Sequence, residues 1–401
     1  MRATTKSRPA AGGRASRKIR QAWVLKRTIP LLLGAFCAFP GHASELTRLS
    51  EQILPEQLSW ALDIRWGDAD QLVIAAGRQG VFGLSAGAAP PEVKRIVGGN
   101  TDTNGFWFAA RLARSPEYLV VASPVHNLTW LRAGASTPAP AFPIAAITDL
   151  DVRGDRLVVL GARRGDDPQS TWSPDSAIAW LGSLDHDLQD LRPILYSVTE
   201  HGQSMADCSF FEHGGARFLR DGSLLVIPGV EDGVFLFDAQ GKLQRTWEAD
   251  QVGLDVGCGP AADPQNHSRF ARDWRLRHVG FLNQRRILDE ILDLPQGPGL
   301  VVRTVAAGTT RWQLRTLPLH GGPATVYDLP VTSPSPFSHL RGDVADTPPH
   351  PIALLLLEYR DLTQVPAVTP KVIVTEVPDE QTHRAAEHAD PARPLGSPTN
   401  R

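Results

Sequence analysis

Short apolar runs recur along the chain and are separated by turns rich in glycine, proline and aspartate. The clearest example spans residues 214–249. Runs at 216–220 and 223–227 flank Asp221-Gly222, a pair typical of a tight β-hairpin because both turn positions need positive φ. Two further runs, 233–238 and 242–248, follow after short polar turns. The stretch therefore predicts one sheet of four antiparallel strands.

The same rhythm recurs in five other stretches, and such repetition predicts stacked copies of one structural unit. Their predicted strands are 60–66, 72–76, 81–85 and 93–97; 106–112, 118–123 and 127–132; 147–152, 157–161, 177–182 and 191–198; 287–294, 300–305, 310–317 and 324–329; and 340–345, 352–357 and 371–377. Sheets that cannot bury their own apolar faces must pack on one another. The pattern predicts an all-β fold, a β-propeller with six blades. Seven blades is the alternative, because residues 199–214 and 250–286 have room for further strands.

The best-formed stretch has an Asp-Gly turn, two strands and an Asp238-x-x-Gly241-Lys242 turn. In this it resembles the blades of six-bladed, NHL-type propellers. The resemblance covers one blade well and others loosely, and it implies a fold only.

The last repeat lacks a fourth strand, while residues 45–54 belong to no other repeat. We expect this N-terminal segment to supply the missing strand and close the ring, which removes exposed sheet edges. The propeller domain is then residues 45–377. Residues 378–401 are polar, rich in proline and without periodicity. A disordered C-terminal tail is therefore expected.

Residues 1–44 have the composition of a cleaved signal peptide. Positions 1–28 hold nine Lys or Arg and no acid, an apolar run follows at 29–39, and small residues precede position 44. The run is too short to span a bilayer, so no stable membrane anchor is expected, with an uncleaved anchor as the alternative. Phe36 before Cys37 disfavours lipidation. The composition, with two Met, also suggests a bacterial protein that is periplasmic or secreted, by an export route left open.

Removal of the leader leaves 32 basic and 43 acidic residues, a net charge of about −11. An acidic protein lacks the basic surface that nucleic acids and anionic membranes require, so neither is expected as a partner. The same cleavage leaves two cysteines, Cys208 and Cys258. In an oxidising compartment these favour a disulfide, with two separate buried thiols as the alternative.

Residues 250–286 are too long for an ordinary connection between blades, and long loops on a rigid scaffold often bind ligands. Arginine side chains there can hold a carboxylate, phosphate or sulfate group. An internally paired, solvated loop is the alternative. The candidate ligand-binding residues are His267, Arg269, Arg272, Trp274, Arg275, Arg277 and His278.

A second cluster of acids and imidazoles surrounds Cys208: His201, Asp207, Glu212 and His213. These residues are candidates for holding a divalent metal such as calcium, although the spacing matches no known motif and solvent-exposed turn residues are the alternative. Lactonase-like propellers place a metal-binding Asn near the start of a blade. Gly214-Gly215 occupies that position here.

Charged residues also enter the predicted inner strands, at Asp289-Glu290 and at Arg341-Gly342-Asp343. Inner strands line the central channel of a propeller, where such groups either face a ligand or cap backbone amides of the next blade. We expect the structural role.

No catalytic motif stands out. The expected function is a binding scaffold that uses its loop face for a protein, a small molecule or a saccharide. The alternative is a propeller enzyme, a hydrolase or lyase acting on a sugar or lactone. Three or more carboxylates or imidazoles converging in a funnel would favour the enzyme.

Overall fold

The computed structural model forms six mainly antiparallel sheets around one axis, five with four strands and one with five. It describes residues 44–68, 70–86, 92–98, 108–123, 128–132, 135–138, 144–163, 177–196, 214–229, 232–257, 278–319, 324–359 and 370–377. The predicted leader and C-terminal tail lie outside these residues, apart from Ser44. No helix in the described ranges is long and apolar enough to cross a membrane.

The blades follow one another along the chain, and each runs outward from the axis. Blade 1 contains β3 (Asp63–Trp66), β4 (Gln71–Ala75), β5 (Val81–Ser85) and β6 (Val93–Val97). Blade 2 contains β7 (Arg111–Arg114), β8 (Tyr118–Ala122), β9 (Leu128–Arg132) and β10 (Ala135–Pro138). Blade 3 contains β11 (Ile144–Arg153), β12 (Arg156–Arg163), β13 (Ala177–Ser183) and β14 (Arg192–Tyr196).

The second half repeats the pattern. Blade 4 contains β15 (Gly215–Phe218), β16 (Leu224–Ile227), β17 (Val234–Phe237) and β18 (Leu243–Trp247). Blade 5 contains β19 (Arg286–Leu294), β20 (Gly297–Ala306), β21 (Thr309–Thr316) and β22 (Val326–Ser333). Blade 6 contains β23 (His339–Val344), β24 (Ile352–Leu357) and β25 (Lys371–Glu376). Two 3-10 turns, Glu56–Leu58 and Ala249–Val252, and a helical turn at 278–282 complete the described elements.

Six blades close the ring. The inner strands contact one another in the order β3, β7, β11, β15, β19 and β23, and β23 contacts β3 again. The six-bladed prediction is therefore confirmed, and the seven-bladed alternative does not apply.

The N-terminal segment closes the ring, as the sequence predicts. β2 (Thr47–Ile53) pairs antiparallel with β25 and becomes the outer strand of blade 6. The preceding β1 (Ser44–Glu45) pairs parallel with β22, so the segment also extends blade 5. Leu46, between the two strands, is buried in the interface of blades 5 and 6.

The hydrophobic core lies between blades. Six apolar clusters fill the six interfaces, and each draws side chains from two neighbouring sheets. Strands near the axis are buried on both faces, as in β16 and β24, whereas the outer strands β6 and β18 are largely exposed. A single sheet cannot bury its own apolar faces, so each blade is stable only when it packs between two others.

Local turn chemistry explains why the hairpins form where the sequence predicts. Gly222 adopts a φ of 86°, in the region that favours glycine. Asp221 does not have a positive φ, so the prediction of positive φ at both turn positions is wrong for Asp221. Asp221 Oδ1 accepts the Ser223 N–H at 2.9 Å, which fixes the turn. One strand differs from prediction. β10 lies in a segment rich in Ala, Ser, Thr and Pro that the sequence indicates is a loop, and its pairing with β9 makes it a strand.

Candidate functional site

Charged side chains from the inner strands meet at the propeller axis. They occur in pairs two residues apart, which project to the same side of a strand. Three such pairs, with Arg217 and Glu290, form what we call the axial cluster. Its members are Asp63, Arg65, Asp149, Asp151, Arg217, Glu290, Arg341 and Asp343. All are buried except Asp343, whose side chain is 19% exposed.

Arg65 shows how closely the blades converge. Its guanidinium lies 3.2 Å from Asp63 of its own blade, 3.9 Å from Asp149 of blade 3 and 3.7 Å from Glu290 of blade 5. It also donates to the Gly342 carbonyl of blade 6 at 3.3 Å. The neighbouring carboxylates raise the pKa of Arg65 although burial opposes them. The cluster is thus a network of compensated charges at the centre of the ring.

Arg217 repeats this arrangement with other carboxylates. It lies 3.5 Å from both Asp151 and Glu290 and 3.3 Å from Asp343. Two of these carboxylates, Asp151 and Asp343, have a raised pKa, mainly because burial disfavours their charge. Arg217 therefore holds three carboxylates together.

The carboxylates of the cluster also join neighbouring blades. Each of four accepts a hydrogen bond from a backbone N–H of the next inner strand. The donors and acceptors are Leu112 N to Asp63 Oδ2 at 2.8 Å, Ala216 N to Asp149 Oδ2 at 2.9 Å, Phe218 N to Asp151 Oδ2 at 2.8 Å and Trp66 N to Asp343 Oδ2 at 2.9 Å. The predicted structural role of Asp343 is present, and Glu290 likewise faces Gly342 N at 3.5 Å.

Asp149 is the least compensated acid of the cluster. Its Oδ1 atom is buried and accepts no hydrogen bond from the described residues, and Arg65 Nη2 lies 3.9 Å away. Burial, followed by the nearby Glu290 carboxylate, raises the pKa of Asp149 to about 6. A proton at this position relieves both costs.

A second buried network ties blade 5 to blade 6. Asp289 accepts hydrogen bonds from Trp312 Nε1 at 2.6 Å and from Leu340 N at 3.0 Å. Burial opposes its charge, but Arg303 and His339 lower the pKa of Asp289 to about 2. Burial and Arg303 lower the pKa of His339 to about 4. Asp289 is thus held by hydrogen bonds and by the nearby Arg303, as the sequence predicts for a structural Asp289.

The channel opens into a cavity of about 510 Å³ where the inner strands end and turn outward. We call it the mouth cavity. All six blades contribute to its wall. The wall carries five arginines, Arg65, Arg114, Arg153, Arg217 and Arg220. It also carries five aspartates, Asp68, Asp151, Asp293, Asp343 and Asp346. The formal charge of the wall is therefore balanced, with hydrogen-bond donors and acceptors in equal numbers of side chains.

Asp293 lies on this wall with its side chain 23% exposed. It accepts the Arg220 N–H at 3.1 Å, and Arg220 Nε lies 3.7 Å from its other oxygen. Burial raises the pKa of Asp293 to about 6, although Arg220 opposes this rise. The carboxyl group therefore changes charge near neutral pH while facing the cavity.

Most of the loop residues singled out in the sequence lie outside the residues that the structure describes. Those outside the described residues are His201, Asp207, Cys208, Glu212, His213, Cys258, His267, Arg269, Arg272, Trp274, Arg275 and Arg277. His278 is described and only 3% exposed, with its ring centroid 5.8 Å from that of Phe281. Among the described residues, no three His, Cys, Asp or Glu side chains come close enough to hold a metal ion.

Sequence analysis missed most of the axial cluster. A signal was present, because Asp63-x-Arg65, Asp149-x-Asp151 and Arg341-x-Asp343 each place two charges on one side of a predicted inner strand. Only Arg341 and Asp343 of these six were singled out. Arg217 and Arg220 carry no such signal, since they lie in an ordinary hairpin.

The fold and this site define a six-bladed β-propeller with a charged channel. No protein-family model matches the chain, and no curated protein matches it. A solved structure of a DUF4221 family member from Bacteroides vulgatus is similar over 83% of this chain and 98% of its own, with 11% identity and a TM-score of 0.53. This likeness shows the fold alone.

Two other solved propellers are more distant. Streptogramin B lyase is 10% identical over 82% of this chain and 87% of its own, with a TM-score of 0.41. The WD40 propeller domain of Doa1 is 9% identical over 84% of this chain and 99% of its own, also with a TM-score of 0.41.

Proposed function

We propose that this protein is an exported propeller that binds a small polar ligand, of saccharide size, in the mouth cavity. The wall of five arginines and five aspartates is the observation that carries this proposal. The cavity volume of about 510 Å³ lies in the range of small-molecule sites. The composition of residues 1–44 supports export, and the proposed location is the periplasm or the medium.

The wall chemistry favours an uncharged ligand with many hydroxyl groups. Guanidinium groups only donate hydrogen bonds and ionised carboxylates only accept them, whereas a hydroxyl does both. A balanced wall gives no net attraction to a simple anion or cation. A sugar-like molecule can use neighbouring arginines and aspartates at once, which is why we place a saccharide before a charged metabolite.

The experiment uses protein recovered from the periplasm or medium, with its N-terminus defined by intact mass. Binding of a panel of neutral mono- and disaccharides is measured by titration calorimetry. Arg114→Gln removes one charged donor from the wall, so we expect affinity to fall by roughly 10- to 100-fold, the cost of one charge-assisted hydrogen bond. Arg132→Gln removes the same charge from β9, outside the mouth cavity, and should leave affinity unchanged.

Two outcomes would contradict the proposal. One is that no member of the panel binds wild-type protein. The other is that Arg114→Gln binds as tightly as wild type, which would place the ligand elsewhere.

A second candidate function is a hydrolase or lyase acting on a sugar or lactone. Asp293 supports it, because a carboxyl group with a pKa of about 6 that faces a cavity suits general acid-base catalysis. To decide between a binding scaffold and an enzyme, the same titrated samples, and samples with added lactones, are analysed for reaction products. Turnover that Asp293→Asn abolishes would favour the enzyme, and binding without products would favour the scaffold.

A further inference from the structure

A second cavity lies between blades 4 and 5, away from the axis. Its volume is about 490 Å³, and it shares no lining residue with the mouth cavity. Strand β18 forms one side, the 3-10 turn Ala249–Val252 forms the floor, and β20 and β21 contribute the other side. We call it the interblade groove.

The charged residues of the groove are unbalanced. Three arginines, Arg245, Arg286 and Arg315, line it, against one aspartate, Asp250. Arg286 is neutralised from outside the groove, since its Nη2 lies 2.8 Å from Asp255 Oδ1 and its Nε 3.3 Å from Oδ2. The other two arginines form no ion pair with any carboxylate in the described ranges.

Arg315 is the most exceptional of the three. Its Nη2 donates to Gln313 Oε1 at 2.9 Å, but its Nε is buried and has no hydrogen-bond partner among the described residues. Burial lowers the pKa of Arg315, and the nearby charge of Arg286 lowers it further. A buried donor without an acceptor costs free energy, and so does a like charge beside it.

The backbone at Gly253 allows these charges to converge. Its φ is 76°, and a Cβ here would overlap Arg315 Nη1 and lie 3.6 Å from Arg286 Nη1. The two guanidinium groups thus meet over a position without a side chain. Arg245 reaches the groove from the opposite side, where it donates to the Leu319 carbonyl at 2.8 Å and stacks over Trp247 with 4.5 Å to the ring centroid.

We propose that the interblade groove binds a compact oxyanion of a small molecule, a carboxylate, sulfate or phosphate group, through Arg315 and Arg245. An oxyanion in the groove compensates the excess positive charge of Arg315 and Arg245, which have no carboxylate partner among the described residues. Guanidinium groups match the geometry of such oxygens with paired hydrogen bonds. This site is independent of the proposed function at the mouth cavity.

Equilibrium dialysis at low ionic strength tests this inference with radiolabelled inorganic sulfate, inorganic phosphate and citrate, which separate the three anion chemistries. We expect one saturable site per molecule for at least one of them. Arg315→Gln should weaken binding at least tenfold. The matched control is Arg311→Gln, an exposed arginine on the same strand and face that does not line the groove, and it should change affinity less than twofold.

Circular dichroism confirms that each variant is folded. Should Arg315→Gln fail to fold, Arg245→Gln replaces it, because Arg245 is exposed at the groove edge and its loss is structurally mild. Arg114→Gln, in the mouth cavity, should bind the anion like wild type. The inference is overturned if no anion shows a saturable site, if the groove variant binds like wild type, or if Arg311→Gln loses as much affinity as the groove variant.

Discussion

Carboxylates at the axis have two structural roles, as a hydrogen-bond acceptor for the next blade and as the partner of a buried arginine. Asp63 accepts the Leu112 N–H of the next blade and neutralises Arg65 of its own strand. Burying a charge is expensive unless opposite charges and hydrogen bonds compensate it. The sequence indicated this role for Asp289, Glu290 and Asp343, because acids in an inner strand have backbone amides of the next blade within reach.

The first prediction concerns Asp63, which is fully buried. Asp63→Ala leaves the Leu112 N–H and the Arg65 guanidinium without this acceptor, so we expect the free energy of unfolding to fall by about 3–5 kcal/mol. Urea unfolding measures this fall in the free energy of unfolding. The control is Asp68→Ala, which removes an acid whose side chain is 91% exposed. This change should cost no more than about 1 kcal/mol. Equal losses in the two variants would refute the structural role of Asp63.

At the scale of elements, hairpins with clear turn chemistry were predictable. Asp221-Gly222 is an example, since glycine there adopts the positive φ that the turn needs. β10 was not predictable, because its residues have no strand-like alternation and only pairing with β9 defines it. The N-terminal strand was predictable from the missing fourth strand of blade 6, whereas its extension onto blade 5 through β1 was not.

The prediction at this scale concerns the closing segment. Leu46 is 2% exposed and packs with Trp312 and Leu340 between blades 5 and 6. Leu46→Ala should lower the free energy of unfolding by about 2–5 kcal/mol through the cavity it leaves.

The control for Leu46→Ala is Leu49→Ala, and chemical denaturation measures the free energy of unfolding of both variants. Leu49 lies on β2 and its side chain is half exposed, at 50%. Its truncation should therefore change the free energy of unfolding by no more than about 0.5 kcal/mol. If both variants match wild type, the N-terminal segment does not hold the ring closed.

At the scale of the whole molecule, the ring creates an environment that no single blade contains. Arg65 lies within 3.9 Å of carboxylates from blades 1, 3 and 5, and seven of the eight axial charges are buried. The pKa of Asp149 rises for this reason. Folding and protonation at the axis are therefore linked.

The pH dependence of stability follows from this linkage. Native Asp149 has a pKa of about 6, against about 3.9 for an unfolded aspartate, so the native state holds the extra proton between these pH values. Its stabilising contribution is fully present below about pH 4 and is lost as the pH rises through about 6. His339, with a lowered pKa, acts in the opposite direction. The contribution of Asp149 must therefore be isolated by comparing wild type with a variant that lacks this carboxylate.

Asp149→Asn cannot ionise and isolates the effect. We expect its free energy of unfolding, relative to wild type, to increase by about 2–3 kcal/mol between pH 4 and pH 7. Asp68→Asn should show a constant difference from wild type over the same range. A difference for Asp149→Asn that stays constant or shrinks with rising pH would contradict the raised pKa.

Apolar periodicity and turn residues act over short distances along the chain, so they were enough to predict the repeated sheets, most of their hairpins and the segment that closes the ring. The choice of six blades over seven, and the charges that meet at the axis, depend on the packing of the whole ring. Arg65, Asp149, Arg217 and Glu290 are far apart in sequence and come together through ring closure, so their distances, pKa values and the mouth cavity depend on how six sheets pack around one axis.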